Sequence, residues 1–550
     1  MEEQGRRQKA EGRRKVGSWI PSLLIACLPV IVAAQTPPVA PEALFSTADR
    51  CTACHNGLLT PAGEDVSIGT AWRGSMMANA ARDPYWQAAV RRETIDHPAA
   101  AAAIENECSA CHMPMTRFAA KAGGGMGSVF AHLPIAAGAL PADLLAADGV
   151  SCSVCHQITA EGLGTDESFT AGFVIDPAPA ATRSMFGPYE VAPGHRKIMD
   201  SAVAFTPEQR AHIRDAEICA SCHTLHTHAL DADGKPAGRL TEQGPYLEWR
   251  HSAYVGKQTC QECHMPLVAD GTAISSVLPV ARDGARMHRF RGGNFLMPRI
   301  FALHAVELGV AATPAELTAT AERTADHLRQ SSARLSFAEP RRADGRLELA
   351  LTIENRAGHK LPTAYPSRRA WVHLTVRDAG GSVVFESGAF EPTGAIRGND
   401  NDIDGTRYEP HHALITSEEQ VQIYEPILAD SKGEVTTGLI RAVRYVKDNR
   451  ILPDGFDKAT AHDDVAVRGA AMEDSDFAAG RDTIRYSIAT GEKSGPFSVT
   501  AELWYQPIGF RWATNLAAYD TPESARFGGY FREVADQSAL KIGEAKVEVR

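Results

Sequence analysis

The clearest order in this 550-residue chain is the alternation of apolar and polar positions beyond residue 336. Leu347, Leu349, Leu351 and Ile353 are separated by Glu348, Ala350 and Thr352. Ile484, Tyr486 and Ile488 repeat the pattern, as do Phe497, Val499, Ala501, Leu503 and Tyr505. A period of two puts every second side chain on one face, so each run predicts a half-buried strand. Val372, Leu374 and Val376 predict another strand, ending in a turn at residues 378–381. Such strands with turn punctuation predict an antiparallel β-sandwich of immunoglobulin-like type over residues 336–550, carrying a long polar insertion at 391–480. That half contains no cysteine, so no disulfide ties its sheets.

Just before it the period is helical. Thr313, Pro314 and Glu316 fit the N-cap, first helical position and N3 of a capping box. Leu317, Ala321, Leu328 and Leu335 follow at roughly helical spacing, so residues 301–335 are expected to form a helical linker.

Residues 41–300 show neither period. They are rich in Ala, Gly and Pro, poor in β-branched runs, and broken by loops such as 122–127. What repeats there is Cys-x-x-Cys-His: Cys51, Cys54 and His55; Cys108, Cys111 and His112; Cys152, Cys155 and His156; Cys219, Cys222 and His223; Cys260, Cys263 and His264. This is the attachment pattern of c-type haem, in which two thiols form thioethers to the porphyrin and the adjacent His binds iron from one side. Zinc ribbons also use Cys pairs but need no His after each second Cys. Thioredoxin-like motifs each want a βαβ unit, and none is visible. Residues three apart rarely form a disulfide without strain. Five covalent haems over about 250 residues would themselves supply most of the core, with short helices and loops wrapped around them. The expected fold class is therefore α+β in two parts: a mostly helical and loop-built haem-wrapping domain at 41–300, then the β-sandwich.

The N-terminus reads as an export signal. Arg6, Arg7, Lys9, Arg13, Arg14 and Lys15 precede an apolar run from Trp19 to Ala34, too short and Pro-interrupted to span a membrane comfortably. Cleavage after residue 34 is expected, leaving a periplasmic or otherwise extracytoplasmic chain. Cys27, the one cysteine outside the motifs, gives lipoprotein anchoring as the lesser alternative. No later segment reaches about 18 consecutive apolar residues, so no transmembrane span is expected. The formal charge of −11 falls to about −14 without residues 1–34, which argues against nucleic acid as a partner and suits a redox protein with a basic docking face.

Trp72, Ser75, Met77 and Ala78, the Cys-His-Met-Pro segments at 111–114 and 263–266, Glu248-Trp249 with His251-Ser252, and His288 through Asn294 together resemble the multihaem cytochrome c family typified by cytochrome c554 and related to hydroxylamine oxidoreductase and pentahaem nitrite reductase. The resemblance covers roughly residues 45–300. Gly358-His359-Lys360-Leu361-Pro362 through Arg368-Arg369-Ala370-Trp371 is similar to a β-domain appended to such cytochromes. It implies single-electron transfer between respiratory partners, donor and acceptor unspecified, with a membrane-associated complex as one setting. The alternative it implies is a hydroxylamine oxidoreductase or nitrogen-oxide reductase type of enzyme with one open haem. Two departures matter. The nitrite reductases carry Lys for the motif His at the catalytic haem, and no motif here does. Met77 stands where relatives often have His, and a thioether ligand would raise that haem's potential.

A haem with two protein ligands can only pass electrons, so the second axial ligand decides function. The candidates are Met77, His132, His195, His251 and His288, with His97, His212, His226 and His228 as competitors. His359, His411 and His412 read as structural or solvated. Asp400, Asp402 and Asp404 before Gly405 match the opening of a calcium loop, but its twelfth position is His411 rather than a bidentate Glu.

Overall fold

Among residues 44–300 in the computed structural model, short helices joined by long irregular segments present the motifs. Residues 44–550 are described, apart from 139, 178–181, 232 and 270. The signal segment with Cys27 lies outside them. Helix α1 (Pro84–Asp96) starts on Asp83, whose carboxylate accepts from the Tyr85 and Trp86 amides while Pro84 supplies the first helical residue. Helix α2 (Ala101–His112), helix α3 (Ala216–His223) and helix α4 (Cys260–His264) each end on a motif His. The third motif forms the short helix Cys152–Cys155, and the first begins in Ala48–Thr52. One turn puts two cysteines three apart on the same helix face, which is what attachment to a single planar group needs.

Helices α5 (Leu296–His304) and α6 (Pro314–Ser331) follow. The Thr313 and Glu316 capping box forms, and Leu317, Ala321 and Leu328 are buried. The helix stops at Ser331, however, and Leu335 belongs to strand β1 (Ala333–Phe337). Its position continues a helical spacing and also starts an alternating one, and pairing with the sheet decides.

Strands β2 (Arg346–Asn355), β3 (Arg369–Arg377), β4 (Val383–Ser387), β5 (Arg481–Ala489), β6 (Phe497–Gln506) and β7 (Leu540–Val549) complete the main framework. One sheet runs β4-β3-β6-β7, with Ile423–Tyr424 also on β3; the other contains β5-β2-β1, with Leu414–Ile415 on β5 and Arg341–Ala343 on β2. Leu351 faces Ile484, Leu349 faces Tyr486, and Val372 faces Leu503, so the alternating residues stand opposite one another. Their buried faces share one apolar cluster with α5, α6 and helix α7 (Pro522–Val534).

The polar insertion is more than decoration. Its strands Pro426–Ala429, Val435–Thr436 and Arg444–Asp448 form a small sheet. The Leu439 amide donates to Glu93 on α1 at 2.8 Å, and Arg92 reaches Thr437 at 3.1 Å. Contacts of this kind make residues 38–550 a single compact unit. No helix among the described residues is long and apolar enough to cross a membrane.

Candidate haem-binding site

The motifs converge on one another. The Cys51 and Cys152 thiols lie side by side, as do those of Cys111 and Cys222 and those of Cys219 and Cys260. The first motif thus meets the third, the second meets the fourth, and the fourth meets the fifth. Cys155 lies near Cys222, which joins the third to the fourth. All ten motif cysteines are free of disulfides. Among the described residues, no three Cys or His side chains converge as zinc ligands do.

What surrounds the first four motifs is a cavity of about 1340 Å³, lined by Cys51, Cys54, Cys111, Cys152, Cys155, Cys219, Cys222 and by His55, His112, His156 and His223. Pockets for one small ligand occupy roughly 300–1,000 Å³, so this space suits several large groups. The side chains on its wall are otherwise largely apolar, among them Trp72, Met76, Met77, Trp86, Met185 and Phe186.

Four of the five motif imidazoles are held in the tautomer that iron requires. Nδ1 of His55 donates to the Ile274 carbonyl at 2.6 Å, that of His112 to Ala80 at 2.8 Å, and that of His156 to Phe186 at 2.6 Å. His264 donates likewise to the Arg291 carbonyl. A carbonyl only accepts, so Nδ1 carries the proton and Nε2 keeps its lone pair. Burial pushes His112 and His264 down to about 4, and His156 and His223 are lowered by the same cause, keeping the rings neutral. Trp86 lies flat on His112, ring centres 4.2 Å apart.

Second imidazoles stand opposite two of the motifs. Two His rings bound at about 2.0 Å to the same metal have ring centres about 6 Å apart. His288 lies 6.3 Å from His156, with the planes 21° apart. His359 lies 6.2 Å from His264 at 16°, and His327 lies 6.1 Å from it at 69°. Among the described residues no second imidazole stands at this separation from His55, His112 or His223. Beside His223 the nearest charge is the Arg368 guanidinium, which adds to the effect of burial and donates to the Thr363 carbonyl at 3.1 Å.

The other candidates divide. Met77 and His195 line the cavity, with His195 Nε2 on the Leu278 carbonyl at 2.8 Å. His132 is held by Asp143 at 2.8 Å. Both nitrogens of His251 are engaged, Nδ1 with Leu247 at 2.8 Å and Nε2 with the His462 amide at 3.4 Å, and neither His132 nor His251 has a motif His within ring-contact distance. Nε2 of buried His97 has no hydrogen-bond partner among the described residues, whereas His226 Nε2 faces the Asp464 carboxylate at 3.5 Å. His327 and His359 escaped the sequence reading because their motif partner is supplied by a distant part of the chain. The isolated Gly358-His359-Lys360 segment, with a basic residue directly before a Leu-Pro pair, was the only local signal for either.

The calcium expectation fails on donors. Asp402 is buried and accepts from Arg369 at 2.8 Å and the Ile396 amide at 2.8 Å; Asp400 pairs with Arg407 at 2.6 Å; Asp404 accepts from Thr406 at 2.9 Å. The three carboxylates serve four protein partners between them and share none, and residues 400–403 form a helical turn.

No family model matches the chain, and no curated protein matches it. Its fold is similar to that of a solved structure, a penta-haem cytochrome c552 from Thermochromatium tepidum, with a TM-score of 0.51 and 15% identity. The match covers 93% of this chain and all of that one. The chain therefore shares the overall fold of that structure, over a span that takes in the β strands as well as the motif-bearing part.

Proposed function

We propose that this is an exported pentahaem c-type cytochrome that relays single electrons between redox proteins outside the cytoplasm. The observation that carries the proposal is the contact between cysteines of different motifs, first to third, third to fourth, and fourth to second and fifth. Haem c, when bound, supplies one-electron chemistry at iron. The chain supplies the rest. Ten cysteines would anchor the haems, five motif histidines would offer Nε2 to iron, and the carbonyls of Ile274, Ala80, Phe186 and Arg291 fix the orientation of four of those rings. His288 is proposed as the second ligand opposite His156, and Met77, lining the cavity, as a thioether ligand for the part of the relay around the first motif. Apolar walls keep water away from the interior, and the acidic surface favours a partner with a basic docking face.

The test is made on protein from a host competent in cytochrome maturation. Acid-acetone-washed material is expected to stay red, to weigh five haems more than its bare chain, and to titrate through several overlapping one-electron steps. A colourless protein at the bare mass refutes the proposal. A ferric high-spin signal with turnover of hydroxylamine or a nitrogen oxide would move the reading to the enzymatic alternative.

A further inference from the structure

We infer that His359, from the C-terminal half, is the second axial ligand of the iron held by His264, and that a buried ionic clamp beneath it exists to position that imidazole. This rests on the haem reading above and goes beyond it, since it makes the β half part of the metal centre.

The geometry favours His359 over His327. Both rings lie about one iron's span from His264, at 6.2 Å and 6.1 Å. His359 donates Nδ1 to the Lys360 carbonyl at 2.9 Å, the same arrangement that the motif histidines use, so its Nε2 is left free. Among the described residues no hydrogen bond orients His327, which sits half-buried on α6.

What lies behind His359 is unusual. Lys360 is fully buried and pairs with Asp448 at 2.7 Å; Arg450 pairs with Asp448 at 2.7 Å and with Glu248 at 2.8 Å. Glu248 accepts from the Lys360 amide at 3.1 Å, and Asn355 donates to the His359 carbonyl at 2.8 Å. Two cations and two anions are thus withdrawn from water in balanced number. Buried ion pairs are weak sources of stability, and their best use is to fix one arrangement. Here they fix three segments: the stretch leading to the fifth motif (Glu248), the turn carrying the imidazole (Lys360), and the insertion (Asp448, Arg450). All three meet at Lys360, the residue next to His359. The clamp residues position the ligand and do not touch the iron.

The test uses the full-length haem-loaded protein and its ferric electron paramagnetic resonance spectrum, with haem number checked by mass. His359→Gly is expected to keep five haems, to turn one of the five high-spin, and to return to low spin on adding imidazole. His359→Met is expected to show one His/Met site by its near-infrared ligand band and one raised midpoint potential. His327→Ala is expected to leave the spectrum unchanged. Retention of the wild-type spectrum in His359→Gly and His359→Met, or a high-spin haem in His327→Ala instead, overturns the assignment. Loss of all haem in the wild-type chain refutes the cytochrome reading, a different outcome.

Discussion

In the β half, Leu347, Leu349, Leu351 and Ile353 on one strand stand against Ile484, Tyr486 and Ile488 on the next, and all seven are buried in one continuous apolar cluster. Between residues 44 and 290 the buried apolar residues fall into several small patches, such as that of Leu44, Phe45, Ala110, Met115 and Val154, with Cys111 and Cys222 at their margin. One half is held by its own side chains. The other is a shell whose walls face a cavity of about 1340 Å³. The comparison teaches that the two halves answer to different sources of cohesion, residue packing in one and, on the proposed function, the groups anchored by the motifs in the other, and so to different perturbations.

The largest effect should come from denying the shell its filling. Produced without cytochrome maturation, the chain loses the contacts that the cavity walls are shaped to make. The deficit should exceed the roughly 5–15 kcal/mol that separates folded from unfolded domains. Rapid proteolysis and absence of a cooperative melt are expected; a stable, cooperatively melting colourless protein would show that the shell stands alone. Next in size is a cut into the packed half. Leu351 is fully buried, and Leu351→Ala should cost about 2–5 kcal/mol by transfer and cavity terms. The thermal midpoint should fall while the haem spectrum stays that of the wild type, because Leu351 is paired with Ile484 and Phe337 and does not line the cavity.

The ease of reading followed the same division. Strands with a strict period of two were legible because burial of one face needs nothing outside the local segment, and Thr313 with Glu316 announced α6 through a cap that is local too. The haem anchors were legible for the same reason, since both thiols and the His lie within five residues. The pairing of the proposed second ligands was not. His288 stood among the candidates, but its partner His156 lies 132 residues away, and His359 is 95 residues from His264, so which ring meets which depends on tertiary packing that no spacing encodes. The three aspartates at 400–404 misled in the opposite sense: their spacing is that of a calcium loop, but Arg369 from strand β3 occupies Asp402 and Arg407 from the same loop occupies Asp400.

Charge buried inside the packed half offers a finer probe. Burial raises the Asp482 carboxyl to about 6 and pushes neighbouring His411 down to about 4. His411 faces Asp474 at 3.2 Å and Asp482 at 4.0 Å, with Tyr424 and Gln422 donating to Asp482 and Lys447 acting on His411 from further off. The two signs oppose. Folded Asp482 holds its proton more tightly than the unfolded chain, so its contribution is complete below about pH 4 and is lost as pH rises towards 6. Folded His411 resists protonation, so its contribution is complete above about pH 6.5 and is lost as pH falls to 4. Relative to wild type, His411→Gln should make stability fall more steeply with rising pH across that window, and Asp482→Asn should make it rise, each by about 2–3 kcal/mol. Denaturant midpoints at pH 4, 5 and 6 decide it; equal shifts in both variants would mean the pair does not titrate independently of the rest.

The smallest effect concerns the helix that touches both halves. Helix α6 buries Leu317, Ala321 and Leu328, its Thr320 lies beside Gly74, and Glu316 pairs with Arg73, next to the Trp72 that lines the cavity. Thr313 accepts from the Glu316 amide, and Glu316 accepts in return from the Thr313 amide at 2.9 Å. Glu316 therefore serves the cap and the cross-half ion pair at once. Thr313→Ala should cost about 1 kcal/mol through the lost cap. Arg73→Ala alone should cost less than about 1 kcal/mol, because both partners are partly exposed. If the helix couples the halves through Glu316, the double variant should cost less than the sum of the two, since freeing one bond leaves Glu316 looser for the other. Strict additivity would mean that α6 is merely capped and that the halves communicate through the buried clamp around Lys360 instead.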